Sequence, residues 1–520
     1  MARRRSTPQP TAKVAAFPAP IGGWNARDPL QVMKPSDAIT LDNWYLDMSG
    51  ELRTRGGYTK FATGLPAAVE TLISFAPPSG ITRLFAACGG GIYDISAGGV
   101  APAASVTGLT TSRLETTTIT VLGGTFLVVA TGFDTPRTYN GSTWASYTTT
   151  SSVTLTTLTS PAVMVNRLWW IQRGTLDAYY GDTAAIGGAL TKFPMGALFS
   201  GGELIAHAAW TRDGGSGPED YTCFISSRGE VLIYSGTDPT SASTWTKVGM
   251  FRIAEPVGRK CVMKAGADLA ILTTQGVVLL GQVLDSNVSG QSSIAVTNKV
   301  LSAFASAAVN GSKFHGWQMV EVPAQGLVFV NVPVTEGKTW HQYVLTANKG
   351  SWARFRDLNA PCWAVHGGTA YFGSIVDTVT GKASVMMYSP LTESDDGKKI
   401  DCFLQTGFSD FGSGLIKQFL MARANMKGPA GIAPNLAMRL DYDTTPPLVQ
   451  SITVDAANGV PSWESWNWDV EYWGYVRIPS AHWDVVTGLG QRASLAFRVS
   501  TDVTLSFFGI DLTYQVGGIL

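Results

Sequence analysis

An excess of either charge is missing from this 520-residue chain, in which 38 lysines and arginines stand against 38 aspartates and glutamates. Proteins that hold nucleic acid tightly carry a basic surplus that neutralises phosphates, so tight DNA binding is not expected. Only residues 1–60 lean basic, with nine bases and five acids, against 22 of each in 61–400 and seven bases to eleven acids in 401–520. No run of about 18 apolar residues is present to span a bilayer, and no apolar stretch follows Arg3-Arg4-Arg5 as a secretion signal requires. The expectation is a chain made soluble in a cytoplasm. Cysteine is scarce: Cys88, Cys223, Cys261, Cys362 and Cys402 are odd in number, far apart and never Cys-x-x-Cys. Neither a disulfide framework nor a zinc site is indicated, and buried free thiols are expected. The five histidines, His207, His315, His341, His366 and His482, form no i, i+4 pair and no His-Glu-x-x-His motif. No metal or cofactor is expected.

Present in abundance are glycine, at 57 residues, proline, at 26, and aromatics, with 16 Trp, 22 Phe and 16 Tyr. Many turns between well-filled apolar strands favour an all-β protein. At about 150 residues per domain the length allows two to four domains, fewer if the β-domains are large. Between roughly 65 and 400 one theme recurs, in which two runs of strand length flank a glycine turn. Leu84–Ala87 meets Ile92–Ile95 across Gly89-Gly90-Gly91, and Ile119–Leu122 meets Phe126–Val129 across Gly123-Gly124. Similar hairpins turn at Gly174, Gly229, Gly276, Gly326 and Gly367. The successive spacings from Gly90 are 34, 50, 55, 47, 50 and 41 residues. Propeller blades recur at about 40–50 residues, because each small sheet buries its faces only by stacking on its neighbours. A β-propeller of six to eight irregular blades over 65–400 is expected. Longer strands such as Leu495–Val499 and Leu505–Ile510 read as half-buried strands of a β-sandwich-like domain over 401–520. Asp441-x-Asp443 lacks the glycine and distal glutamate of a calcium loop and reads as a strand-end turn.

Catalytic patterns are incomplete. Gly214-Gly215-Ser216-Gly217-Pro218 lacks the last glycine of a nucleophile elbow and the apolar strand before it. Gly89-Gly90-Gly91 lacks the Lys-Ser/Thr ending of a phosphate-cradling loop. Sialidase propellers carry a Ser-x-Asp-x-Gly-x-Thr-Trp turn and a Phe-Arg-Ile-Pro segment, and fragments of both occur: Ser235-Gly236-Thr237-Asp238 runs to Ser243-Thr244-Trp245, Gly141-Ser142-Thr143-Trp144 is a second partial turn, and Phe251-Arg252-Ile253 is followed by Ala254. Chance and shared turn usage account for these fragments. They leave one alternative function, a glycan-binding or sialidase-like propeller acting on host-surface sugars through Trp144, Trp245 and Arg252.

The most informative stretch lies between Gly22 and Tyr58. It contains Gly22, Gly23, Asn25, Asp28 and Pro29, then Ala38, Leu41 and Asn43, then Gly50, Arg55 and Gly57. Asp28-Pro29 and Lys34-Pro35 force extended or turn backbone, and Pro35–Ala38 followed by Leu41 and Trp44 reads as the start of one short capped helix. This Gly-Gly-x-Asn, Asp-Pro, Ala-x-x-Leu-x-Asn and Arg-x-Gly series resembles the opening of tail nozzle or hub proteins of short-tailed bacteriophages. The closing run, from Gly488-Leu489-Gly490 through Gly509-Ile510-Asp511 to Gly517-Gly518, is similar to their closing strands, though less specific. The resemblance implies a non-enzymatic virion protein, made in the bacterial cytoplasm and built into a ring, expected to be a hexamer. It would contact tail adaptor and portal proteins, fibres or spikes, and transient double-stranded DNA in the lumen. Residues 1–21 would be a flexible basic, proline-rich arm and 22–64 a platform segment leading into the propeller, with 401–520 completing the platform or nozzle.

Two further sets of residues are candidates, the first from its crowding in the sequence and the second from that resemblance. Trp463, Trp466, Trp468, Trp473 and Trp483 crowd one region and are taken as an interface in preference to a sugar platform. Channel gating would use loops at 196–202, 212–219 and 393–399, with Gly201, Gly202, Asp213, Gly214, Gly215, Asp395, Asp396 and Gly397 as candidates.

Overall fold

A computed structural model describes residues 12–213, 218–285, 296–428, 436–451, 478–479 and 483–517. Among the described residues, the strands form an all-β propeller of seven blades joined to a pair of larger sheets. The first four blades are consecutive antiparallel meanders: Thr71–Phe75 to Gly91–Asp94, Glu115–Val121 to Trp144–Ser146, Leu158–Met164 to Thr191–Pro194, and Leu204–Asp213 to Trp245–Arg252. The fifth, Val262–Ala265 to Gly276–Leu279, has three strands, and the sixth runs from Gln318–Val322 to Ser351–Phe355. Trp363–His366, Thr369–Gly373 and Ala383–Ser389 make the seventh, whose fourth strand is Gly57–Leu65 from the other end of the chain. That pairing closes the circle, since it replaces a chain end with ladder hydrogen bonds.

The glycine-turn hairpins read from the sequence fall at these blade hairpins, with Ala87 opposite Ile92, Val121 opposite Gly124, Thr273 opposite Gly276 and His366 opposite Thr369. Apolar residues shared between neighbours join successive blades. Phe75 and Phe85 of the first pack edge-on against Tyr139 of the second, and Trp169 of the third lies 5.6 Å from Phe224 of the fourth.

Several expectations need correction. The short helix at 35–44 is instead the strand Ala38–Asp42, paired antiparallel with Ile400–Thr406. β-branched Ile39 and Thr40 suit that extended backbone. The Asp37 carboxylate that would have capped a helix receives Asn25 Nδ2 and Lys299 Nζ instead. A helix does form at Leu301–Gly311, between the fifth and sixth blades, where the sequence reading places none. Lys13–Pro18, within the expected flexible arm, is a strand paired with Ser506–Val516, and Phe17 is buried there. The boundary at 64/65 cuts the closing strand Gly57–Leu65.

Of the two larger sheets, one continues the sixth blade through Ala38–Asp42 into Ile400–Thr406, Ala493–Thr501 and Ala437–Leu440. The other joins Lys13–Pro18, Trp44–Leu46, Leu52–Thr54, Lys417–Gly428, Ile478–Pro479, Asp484–Gly490 and Ser506–Val516. Phe497 lies between them, 5.5 Å from Trp44 and 5.3 Å from Phe507. Leu495–Val499, expected to be half-buried, is covered almost throughout, because its strand has neighbours on both edges and packed layers on both faces. The five cysteines are free and buried.

Candidate functional site

The opening motif folds into two polar nodes where distant parts of the chain meet. In the first, Gly23 has φ 79° and lies against the sixth blade; a Cβ there would stand 2.4 Å from Ser351 Oγ and 2.7 Å from the Trp352 carbonyl. Only glycine meets both demands. Trp24 N donates to that Trp352 carbonyl (2.7 Å), while Ala38 N donates to Gly23 O and Asn25 N to Ala38 O. The Asn25 side chain donates to Asp28 (2.9 Å) and Asp37 (2.8 Å), and its Oδ1 accepts from the amides of Arg27 and Asp28. Pro29 O accepts the amides of Val32 and Met33, ending the turn. Lys299 reaches in from the start of the helical segment to Asp37 Oδ1 (2.9 Å) and Gly22 O (2.7 Å). Ala38 and Leu41 are fully buried beneath this node.

The second node centres on Arg55, 2 % exposed. All five of its N–H groups find acceptors: Nε on Asn43 Oδ1 (2.9 Å), Nη1 on Gly56 O (2.9 Å) and Asp395 Oδ1 (2.8 Å), Nη2 on Arg356 O (3.1 Å) and Asp395 Oδ2 (2.6 Å). Burial works against the guanidinium charge, but the Asp395 carboxylate outweighs it and holds the Arg55 pKa above its usual value. Asn43 sits at φ 61°, a left-handed conformation that asparagine tolerates, and also donates to Asp401 O while accepting from Arg356 N. A Cβ on Gly57 would fall 2.0 Å from Ser394 O. Gly50, at φ 96°, turns the chain between two strands over Asp47. Beside the node, Asp42 takes a bidentate grip from Arg354 at 2.6 and 2.8 Å. This node therefore ties the closing strand, the sixth blade and the large sheets together.

The inner strands of the blades surround a central cavity of about 580 Å³. Glu115 and Arg259 line it and also border two further recesses. Glu115 Oε2 accepts from Thr159 Oγ1 (2.7 Å) and Ser160, and Arg259 donates to Glu203 (2.9 Å). His207 is buried; its Nε2 donates to the Ser160 carbonyl at 2.6 Å, so Nδ1 is the bare nitrogen. Burial lowers its pKa to about 4. His315, pressed by burial and by Lys260 and Arg113, is lowered to about 3. Among the described residues no cluster of histidine, cysteine or carboxylate has the form of a metal site, and no helix is long and apolar enough to cross a membrane.

Of the gate candidates, Gly201 and Gly202 lie under Arg228, whose Nη1 donates to Ser200 O, while Ser200 is also held by Glu230. Asp213 ends the strand pairing with Pro218 in the fourth blade, and Gly214 and Gly215 lie outside the described residues. Asp395 is the buried partner of Arg55, Asp396 pairs with Lys60 on the surface, and Gly397 turns at φ 82°. Of those described, none lines the central cavity. Trp463, Trp466, Trp468 and Trp473 lie outside the described residues; Trp483 is half-buried with the Arg423 guanidinium 5.1 Å from its ring centre. The three residues of the glycan alternative are not brought together. Trp144 packs on Phe85 and Tyr139 at the second blade, whereas Trp245 lies in the fourth blade, 5.4 Å from Tyr234 of that blade, and Arg252 ends the same strand.

Sequence reading missed the partners, namely Asp37 with Lys299, Asp42 with Arg354, and Asp395 as the counterion of Arg55. It also missed the cavity groups Glu115, Arg259 and Lys260. No local pattern marks residues that meet across 262, 312 or 340 positions. No protein-family model and no curated protein matches the chain. Among solved structures, a chain from the crystal structure of BBS1N in complex with ARL6DN, soaked with lead, is 12% identical over 65% of this chain and 98% of that one, with a TM-score of 0.41. The mercury-soaked form of that complex gives 11% identity over the same shares and a TM-score of 0.39. Raptor of Chaetomium thermophilum gives 11% identity and a TM-score of 0.35, over 67% of this chain and 29% of that one.

Proposed function

We propose that the chain is a structural virion protein, a subunit of the ring-shaped tail nozzle or hub of a short-tailed bacteriophage. In this role it connects the adaptor and portal to fibres or spikes, lines the DNA exit path and retains the packaged genome without catalysis. The observation that carries the reading is the resemblance of residues 22–58 to the opening of that family. The side chains and glycines that make the resemblance are the ones engaged in the two buried nodes, which supports treating the motif as a requirement of the folded geometry and not as a loose surface segment. Balanced charge suits a conduit, since a strongly basic wall would hold phosphates instead of releasing them. The conduit lies on the axis of the ring, between subunits. The cavity inside each propeller, about 580 Å³ and walled by inner strands, has no room for a duplex.

Light scattering and negative-stain microscopy of the purified protein, alone and mixed with phage portal–adaptor complexes, test this reading. The expected result is a hollow ring, free or seated on the complex. A monomer that neither assembles nor binds those complexes overturns it.

A further inference from the structure

A recess that shares lining with the propeller cavity holds about 340 Å³ and brings Arg113, Arg259, Lys260, Lys313, His315 and Gln318 together with a single carboxylate, Glu115. That carboxylate is already committed to Thr159, Ser160 and Arg259. Arg113 is balanced outside the recess by Glu70 at 2.9 Å, and Arg259 by Glu203. Lys260 differs. Among the described residues no hydrogen bond or ion pair engages it, although it is only partly exposed and lines both the recess and the main cavity. Burial lowers its pKa while the charge of Glu115 works the other way, and the nearby Cys362 thiol, pushed up to about 12 by its own burial, stays neutral. Within the recess four cationic side chains face one carboxylate, and an anion that supplies oxygen atoms would relieve that local surplus of positive charge.

We infer that this recess is a binding site for a small phosphoryl oxyanion, held by Lys260 from within the cavity and by Lys313 and Arg113 at its rim. Its size admits one phosphoryl group with a small body and excludes duplex DNA. Charge-assisted N–H···O bonds would supply most of the affinity. The inference does not depend on the nozzle reading, since it rests on groups inside one propeller.

Calorimetric titration of the full chain at constant ionic strength tests it, with inorganic phosphate and AMP as separate probes. Saturable binding of phosphate at one site per chain is expected. Binding of AMP alone would also support the site and assign its source to a nucleoside monophosphate. K260M should weaken binding by roughly tenfold or more, the loss of one charge-assisted contact. The same variant should lose the rise in Tm that the probe gives the native protein. Should K260M fail to fold, K313A at the exposed rim serves in its place and should weaken binding severalfold. Absence of saturable binding for both probes, or equal affinity in the native and variant proteins, overturns the inference.

Discussion

Removing the carboxylate of Asp395 should unfold the junction between propeller and large sheets before anything else. In D395A the Arg55 guanidinium keeps Asn43, Gly56 and Arg356 as acceptors but loses two of its five hydrogen bonds and its countercharge. No water can reach it easily, because Arg55 is 2 % exposed and Asp395 6 %. Breaking one side of a buried ion pair costs about 3–5 kcal/mol, far above the ~1 kcal/mol of an exposed pair. R55K should fall in the same range, since an ammonium has three donors where five are used. A protein of several sheets need not unfold in one step, so the measurement is the first transition in a urea titration followed by near-ultraviolet circular dichroism. The double variant R55M/D395A should recover part of the loss, because the unpaired charge is gone, but leave Asn43 Oδ1 with one donor fewer. A shift in D395A below about 1 kcal/mol would show that the pair is solvated and refute the account of the node.

Other outcomes follow from single positions. G57A places a methyl group 2.0 Å from the Ser394 carbonyl, so the strand that closes the ring must move; a loss of about 1–3 kcal/mol is expected in the same titration, and none would mean that the closing strand is slack. His207 has a folded pKa of about 4 against an ordinary 6.5, so the unfolded chain takes up the proton first as pH falls. Its contribution is therefore complete above about pH 6.5 and is lost progressively toward pH 4, roughly 3 kcal/mol at about 1.4 kcal/mol per unit. Tm measured across that window should fall less steeply in H207Q than in the native chain, and identical slopes would contradict the buried neutral imidazole.

The class of fold is readable along the chain. Glycine turns between apolar runs are local, two-residue facts, and hairpins such as those at Gly124, Gly276 and Gly367 need nothing beyond their own neighbourhood. Their spacing carries the repeat, because a small sheet with two apolar faces has to stack on another like it. The opening motif is legible too, as a set of residue types out of keeping with a simple loop. What those residues do is decided only in three dimensions. Local rules make Pro35, Ser36 and Asp37 a helix start, and the pairing of Ala38–Asp42 with Ile400–Thr406 overrides them. By its neighbours alone Asp395 belongs to a gate loop, because nothing near it in sequence needs a carboxylate, whereas Arg55, 340 positions away, does. The basic lining around Lys260 is of the same kind: it is a property of the blades that meet there, and charge counted along a chain does not register which charges gather in one recess once the chain is folded.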